Sequence, residues 1–217
     1  TGRRVAAFGY WAGYAGAAVA LKCWAAQQRR DTVEPVYAYQ SASALVTELE
    51  AELKSAAAHR PTALVIGALG RVGTGASDLC EAMGIRVTKW DMVETAAGGP
   101  FPEILDHDIF FNCILARPGT PVFIPVSAET APRTMTVIAD IACDPDSDYS
   151  PIKVYDRATS WQDPALRVHS DPVLDVTAID NLPSLLPAES SDDFAQQLLP
   201  TLLALDAIDQ GVWARAN

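Results

Sequence analysis

The chain has 217 residues, 49% of them hydrophobic, which is enough to bury a substantial core as one large domain or a domain with an appendage. Its formal net charge of -11 gives a surface field that repels phosphate backbones and anionic membranes, so nucleic acid is excluded as an expected partner. Any anionic ligand must be held by a local device, such as a helix N-terminus or a placed Arg.

In chain order, Arg3-Arg4 followed by an uncharged run from Val5 to Leu21 imitates a twin-arginine or secretory signal. Gly9, Gly13 and Gly16 dilute that run, and it falls short of the roughly 20 apolar residues a spanning helix needs, so no membrane segment is expected. The absence of an initial Met suggests a start inside a longer protein. Residues 12–28 are Ala-rich and apolar around the whole circumference, as in a helix packed on several sides. Beyond Pro35, residues 41–59 carry Leu45, Val46, Leu49 and Leu53 at helical spacing, with Ser41 or Ser43 as the N-cap of a surface helix.

The run Thr62-Ala63-Leu64-Val65-Ile66, bounded by Pro61 and Gly67, reads as a strand buried on both faces of a parallel sheet. A helix to about Met83 follows it. Further strands are predicted at 85–90, 109–115, 134–142, 152–155 and 173–176. Beyond the Pro-punctuated turn 181–187, an acidic stretch at 189–193 leads into a helix over 194–205 that Pro200 kinks. Strands alternating with helices make βαβ units, hence an α/β, Rossmann-like, doubly wound parallel sheet with right-handed crossovers and flanking hinge helices.

The chemistry-bearing feature is Gly67-Ala68-Leu69-Gly70-Arg71-Val72-Gly73, which follows a buried strand and opens a helix. Glycines there let the backbone turn tightly and approach a pyrophosphate, whose charge sits against free N–H groups at the helix N-terminus. The spacing is GxxGxxG rather than GxGxxG, and a plain strand-to-helix turn is the alternative reading. The next strand ends at Asp91, about where an acidic residue accepts from ribose hydroxyls. A carboxylate there repels a 2′-phosphate, which favours NAD over NADP. Arg71 stands between two of the glycines as a candidate cover for the pyrophosphate, or as a surface Arg.

His59, His107 and His169 form no cluster and read as structural or solvated. Cys23, Cys80, Cys113 and Cys143 form no CxxC pair, so no metal site is expected, and buried thiols in a reducing, cytoplasmic setting fit best.

The segments Gly2-Arg3-Arg4-Val5-Ala6-Ala7-Phe8-Gly9, Gly67-Ala68-Leu69-Gly70-Arg71, Lys89-Trp90-Asp91 with Glu94-Thr95 and Gly98-Gly99-Pro100-Phe101, and Ile179-Asp180 with Leu182-Pro183-Ser184-Leu185-Leu186-Pro187 occur in that order. Together they resemble the NAD-dependent, lysine-forming saccharopine dehydrogenases, relatives of alanine dehydrogenase and transhydrogenase. The resemblance implies a two-domain enzyme that cleaves saccharopine oxidatively to lysine and 2-oxoglutarate, with NAD and saccharopine in the interdomain cleft. It implies NAD contacts from Arg3, Gly70, Arg71, Asp91, Thr95, Leu115, Ile141, Ile179, Asp180, Asn181 and Leu182, to which the glycine turn adds Gly67 and Gly73. Phe8, Ala142, Cys143 and Asp144 would border the substrate.

The sequence departs from the family at Leu115, often Tyr there, and at Ala142-Cys143, often Ser-Ala. Some members also pair a cysteine at the position of Val72 with one matching Cys113, a disulfide this chain cannot form. The family's catalytic Lys and His lie on an N-terminal domain ahead of the segment matched here, so the resemblance implies no catalytic residue in this chain and little activity from it alone. The expected organisation is a hinge segment and interdomain helix over 1–30, a dinucleotide-binding domain over 31–187, and a C-terminal helix over 188–217 returning toward the other domain. The alternatives are a non-catalytic NAD-binding module, one half of a split amino-acid dehydrogenase, and a methyltransferase, against which the late Gly73 argues.

Overall fold

The computed structural model describes residues 4–216. Six short strands, β1 (Thr62–Ile66), β2 (Arg86–Trp90), β3 (Ile109–Asn112), β4 (Val137–Asp140), β5 (Leu166–Ser170) and β6 (Val173–Thr177), form one sheet in the order β2-β1-β3-β4-β6-β5. All neighbours pair parallel except β5 with β6. Every residue of β3 and β4 and all but the first of β1 are buried, which is why these strands are continuous apolar runs rather than alternating ones. The chain leaves β1 toward β2 on one side and returns to β3 on the other, so the crevice of a doubly wound sheet opens at the carboxyl ends of β1 and β3.

Expected strands are corrected at two places and one strand is added. Residues 152–155 make no sheet strand: Ile152 forms an isolated bridge with Ile124, and Val154 and Tyr155 are buried against one sheet face. The strand β5 had no clear sequence signal, because it is a half-exposed edge strand that returns antiparallel through the turn at Asp171-Pro172. The third and fourth strands end at Asn112 and Asp140, short of the predicted 115 and 142, because the chain turns into loops at the sheet's carboxyl edge.

One face of the sheet is covered by α1 (Gly9–Gln28), α2 (Ala42–Ala56) and α3 (Arg71–Ala82). Small residues let α1 be buried nearly all round, and α1 and α3 approach backbone to backbone. A Cβ at Gly13 would lie 1.8 Å from the Val72 carbonyl oxygen, and one at Gly75 1.9 Å from that of Tyr10. In α2 the apolar stripe Leu45, Leu49 and Leu53 is fully buried and Ser41 Oγ accepts from Ala44 N at 3.2 Å, the predicted cap. Each such leucine contributes on the order of 1.5–3 kcal/mol by leaving water. The buried Lys22 of α1 pairs with Glu48 and Glu52 of α2, and Tyr37 and Tyr39 also donate to Glu48. Burial pushes the Glu48 carboxyl up, but these donors outweigh it and hold the group at about 2.

The other face is covered by irregular chain and by 3-10 helices at Pro102–Asp106 and Val126–Glu129, with Phe101, Phe110, Phe123 and Met135 in the core between. Arg133 fastens this layer by donating to the carbonyls of Ala128, Glu129, Met135, Pro172 and Val173. The final long helix, α4, is Pro187–Leu202. It begins earlier than predicted because Pro187 suits a first helical turn, which places the acidic stretch inside it; Pro200 stands in its last turn. Gln197 of α4 exchanges hydrogen bonds with the Ala7 backbone and Phe194 stacks on Phe8 at 4.5 Å, tying α4 to the segment before α1. Leu199, Leu202, Leu203, Leu205 and Ile208 are exposed near its end. Among the described residues no helix is long and apolar enough to cross a membrane, and no group of His, Cys, Asp and Glu could hold a metal ion.

Candidate functional site

The turn from β1 into α3 is built from glycine for steric reasons the structure makes explicit. Gly67 has φ +86°, a left-handed conformation that favours glycine, and a Cβ there would meet Ile114 Cγ2 at 2.7 Å. A Cβ at Gly73 would lie 2.2 Å from the Gly67 carbonyl oxygen, so the first turn of α3 packs directly on the turn that precedes it. Gly70 is the N-cap of α3, with no side-chain cap and no acidic residue in the first turn. The amides of Arg71, Val72 and Gly73 are the orphan donors of that helix end, where the dipole is also positive. Ser41 closes the corresponding end of α2 with its side chain; at α3 no side chain does so.

Asp91, just past β2, lies beside this turn. Its Oδ2 accepts from Leu69 N at 3.0 Å across 22 positions of sequence, its Oδ1 accepts from Met92 N at 2.9 Å, and Thr95 Oγ1 donates to its carbonyl at 2.9 Å. Gly67, Gly70, Gly73, Asp91 and Thr95 are therefore one cluster. Arg71 departs from its expected orientation: its guanidinium donates to the carbonyls of Arg4 at 3.3 Å and Val5 at 3.5 Å, bracing the segment ahead of α1 rather than covering the turn. Arg3 lies outside the described residues.

The remaining expected residues follow β3, β4 and β6 at the same carboxyl edge. Leu115 is 67% exposed. Ile141 and Leu182 meet against Gly16 of α1, and Ile179 and Leu182 are buried, so the side chains of these two belong to the core. Asp180 and Asn181 are exposed, Asn181 accepting from Ser184 Oγ at 3.0 Å. Ala142, Cys143 and Asp144 form a half-buried loop after β4. Cys143 is left-handed at φ +50°, and its thiol donates to the Ala178 carbonyl at 3.1 Å, joining this loop to the segment that runs into 179–182. Burial and then Asp140, Asp180 and Asp144 push that thiol up to about 11. Phe8 packs on α4.

A buried polar group that sequence reasoning missed sits beneath this loop. Asp140, at the end of β4, is 2% exposed and accepts from Tyr155 OH at 2.6 Å, Asn112 Nδ2 at 2.9 Å and Cys143 N at 3.3 Å. Burial pushes its carboxyl up, opposed by those donors. No spacing rule marks it, since its partners come from three separate segments. The histidines lie apart, each with a contact inside the fold: His107 between Thr88 Oγ1 and the Glu103 carbonyl, His169 against the Pro172 carbonyl, and His59 edge-on to Trp24.

No family model matches the chain. Curated relatives match it from end to end. Saccharopine dehydrogenase [NAD(+), L-lysine-forming] of Yarrowia lipolytica is 44% identical over 231 residues, covering all of this chain and 62% of the relative. Enzymes of the same name from Neurospora crassa and Candida albicans are 44% and 42% identical, again over all of this chain and 61% and 63% of their own lengths. The chain thus spans about three fifths of the length of the relatives it matches.

Proposed function

We propose, on the premise that this chain is similar throughout its length to lysine-forming saccharopine dehydrogenases, that it is the NAD-binding part of such an oxidoreductase. The whole protein would cleave saccharopine oxidatively to L-lysine and 2-oxoglutarate. The observation that carries the reading is the uncapped, glycine-built N-terminus of α3 with the Asp91 carboxylate hydrogen-bonded beside it. A pyrophosphate fits where side chains are sterically excluded and three backbone donors lack a cap; a ribose fits where Asp91 keeps lone pairs free. No Lys or Arg stands between Asp91 and Leu115, so nothing there offsets repulsion of a 2′-phosphate.

In this reading the α3 amides hold the pyrophosphate and Asp91 orients the adenosine ribose. The loops after β3, β4 and β6 then receive the other half of the dinucleotide, with Ala142, Cys143, Asp144 and Phe8 toward the substrate. NAD, when bound, supplies the hydride acceptor, and the chain's part is to bind and orient it. The proton transfers of imine formation and hydrolysis are assigned to Lys and His residues in the part of the relatives' length that this chain does not cover, in keeping with the contacts that all three histidines here make inside the fold. Residues 1–30 act as hinge and interdomain helix, 31–187 as the dinucleotide-binding domain, and 188–217 as the return to the other domain; the tie between α4 and Ala7-Phe8 supports this division.

Calorimetric titration of the full-length gene product with NAD and NADP tests the reading. NAD binds selectively, and Asp91→Ala weakens it by about tenfold or more, the worth of a hydrogen bond to a charged group. Equal affinity for NADP, or indifference to Asp91→Ala, overturns the assignment of Asp91.

A further inference from the structure

We infer that Asp140, held by Tyr155 and Asn112, is a positioning residue that fixes the loop 141–144 against the segment 178–182 and so sets where the nicotinamide half of the dinucleotide lies. The inference rests on the dinucleotide reading above. A dinucleotide whose adenosine ribose is at Asp91 and whose pyrophosphate is at α3 must extend across the switch point toward the ends of β3 and β4. The loop leaving β4 is the surface it meets there. That loop contains Cys143, a non-glycine residue at φ +50°, a conformation that persists only where the surroundings hold it.

Three contacts hold it. Cys143 N donates to the Asp140 main-chain carbonyl at 3.2 Å and to Asp140 Oδ1 at 3.3 Å, and Cys143 Sγ donates to the Ala178 carbonyl at 3.1 Å. The Asp140 carboxylate is itself fixed: Tyr155 OH donates to Oδ2 at 2.6 Å from a separate segment, and Asn112 Nδ2 donates to Oδ1 at 2.9 Å from the end of the neighbouring strand. Asn112 is 1% exposed and turns its amide donor to Asp140 while its own Oδ1 stays without a partner. No cation stands among the Asp140 partners. A buried carboxylate with three neutral donors and no counter-charge is a poor way to stabilise a fold, but it places a loop with little freedom because each donor comes from a different segment.

The test compares two ligands on the full-length gene product, NAD and ADP-ribose, which share the adenosine and pyrophosphate but differ in nicotinamide. Asp140→Asn weakens NAD by about tenfold and Tyr155→Phe by about threefold, one lost or loosened hydrogen bond each, while ADP-ribose affinity stays within about twofold. If both ligands weaken in parallel, or neither changes, the positioning role is overturned and Asp140 is structural. Tyr155→Phe decides the matter if Asp140→Asn fails to fold. If the unaltered protein binds neither ligand, the dinucleotide reading falls and this inference with it, an outcome distinct from a selective failure.

Discussion

The two halves of the sheet's carboxyl edge are built by different means. At β1 and β2 the site is one strand, one glycine turn and one helix end, with the Asp91 carboxylate accepting from Leu69 N of that turn. At β3, β4 and β6 the loops are held by hydrogen bonds from Asn112, Tyr155 and Cys143 that converge on Asp140 and Ala178. The first half has no room for an added side chain at Gly67 or Gly73, whereas the second depends on side chains already present. Backbone shape carries the one, and buried polar connectivity the other.

That contrast breaks most visibly at Asp140→Ala, which leaves Tyr155 OH and Asn112 Nδ2 buried with no acceptor and destabilises the protein by about 3 kcal/mol or more, read by denaturant unfolding. Next is Gly73→Val, whose Cβ would displace the Gly67 carbonyl. It costs about 1–3 kcal/mol as an overpacked contact and abolishes dinucleotide binding, measured by unfolding and titration together. Asp91→Ala, in the same local half, leaves stability within about 0.5 kcal/mol, as expected of a partly exposed group, and loses affinity alone. A large fall in melting temperature on Asp91→Ala would erase the distinction between the halves.

The smallest effect lies outside both. Glu48 is held at about 2, below its ordinary 4.5, so its contribution is present above pH 4.5 and is lost as pH falls from there toward 2. Glu48→Gln flattens that part of the acid unfolding curve and leaves NAD affinity unchanged.

Legibility in the sequence followed the same division. The strand Thr62–Ile66, the cap at Ser41 and the glycine turn were readable because each depends on residues within a few positions. The position of Asp91 beside that turn was readable because a βαβ unit fixes the spacing between its strand ends. The edge strand β5 was not, being too exposed to carry an apolar pattern, and 152–155 looked like a strand because burial against a sheet face selects the same residues as burial within a sheet. Ile179 and Leu182 were placed at the site by resemblance, and their side chains belong to the core.

By itself the sequence determined the α/β alternation, the buried central strands and the bare, glycine-built end of α3, because hydrophobic period and glycine sterics act over short stretches of chain. Only the tertiary structure decided that Arg71 turns to the Arg4 and Val5 carbonyls, that β5 runs antiparallel, and that Asp140 draws Tyr155, Asn112 and Cys143 to one carboxylate. A hydrogen bond between distant residues costs chain entropy that only the assembled core repays, so no local pattern announces it.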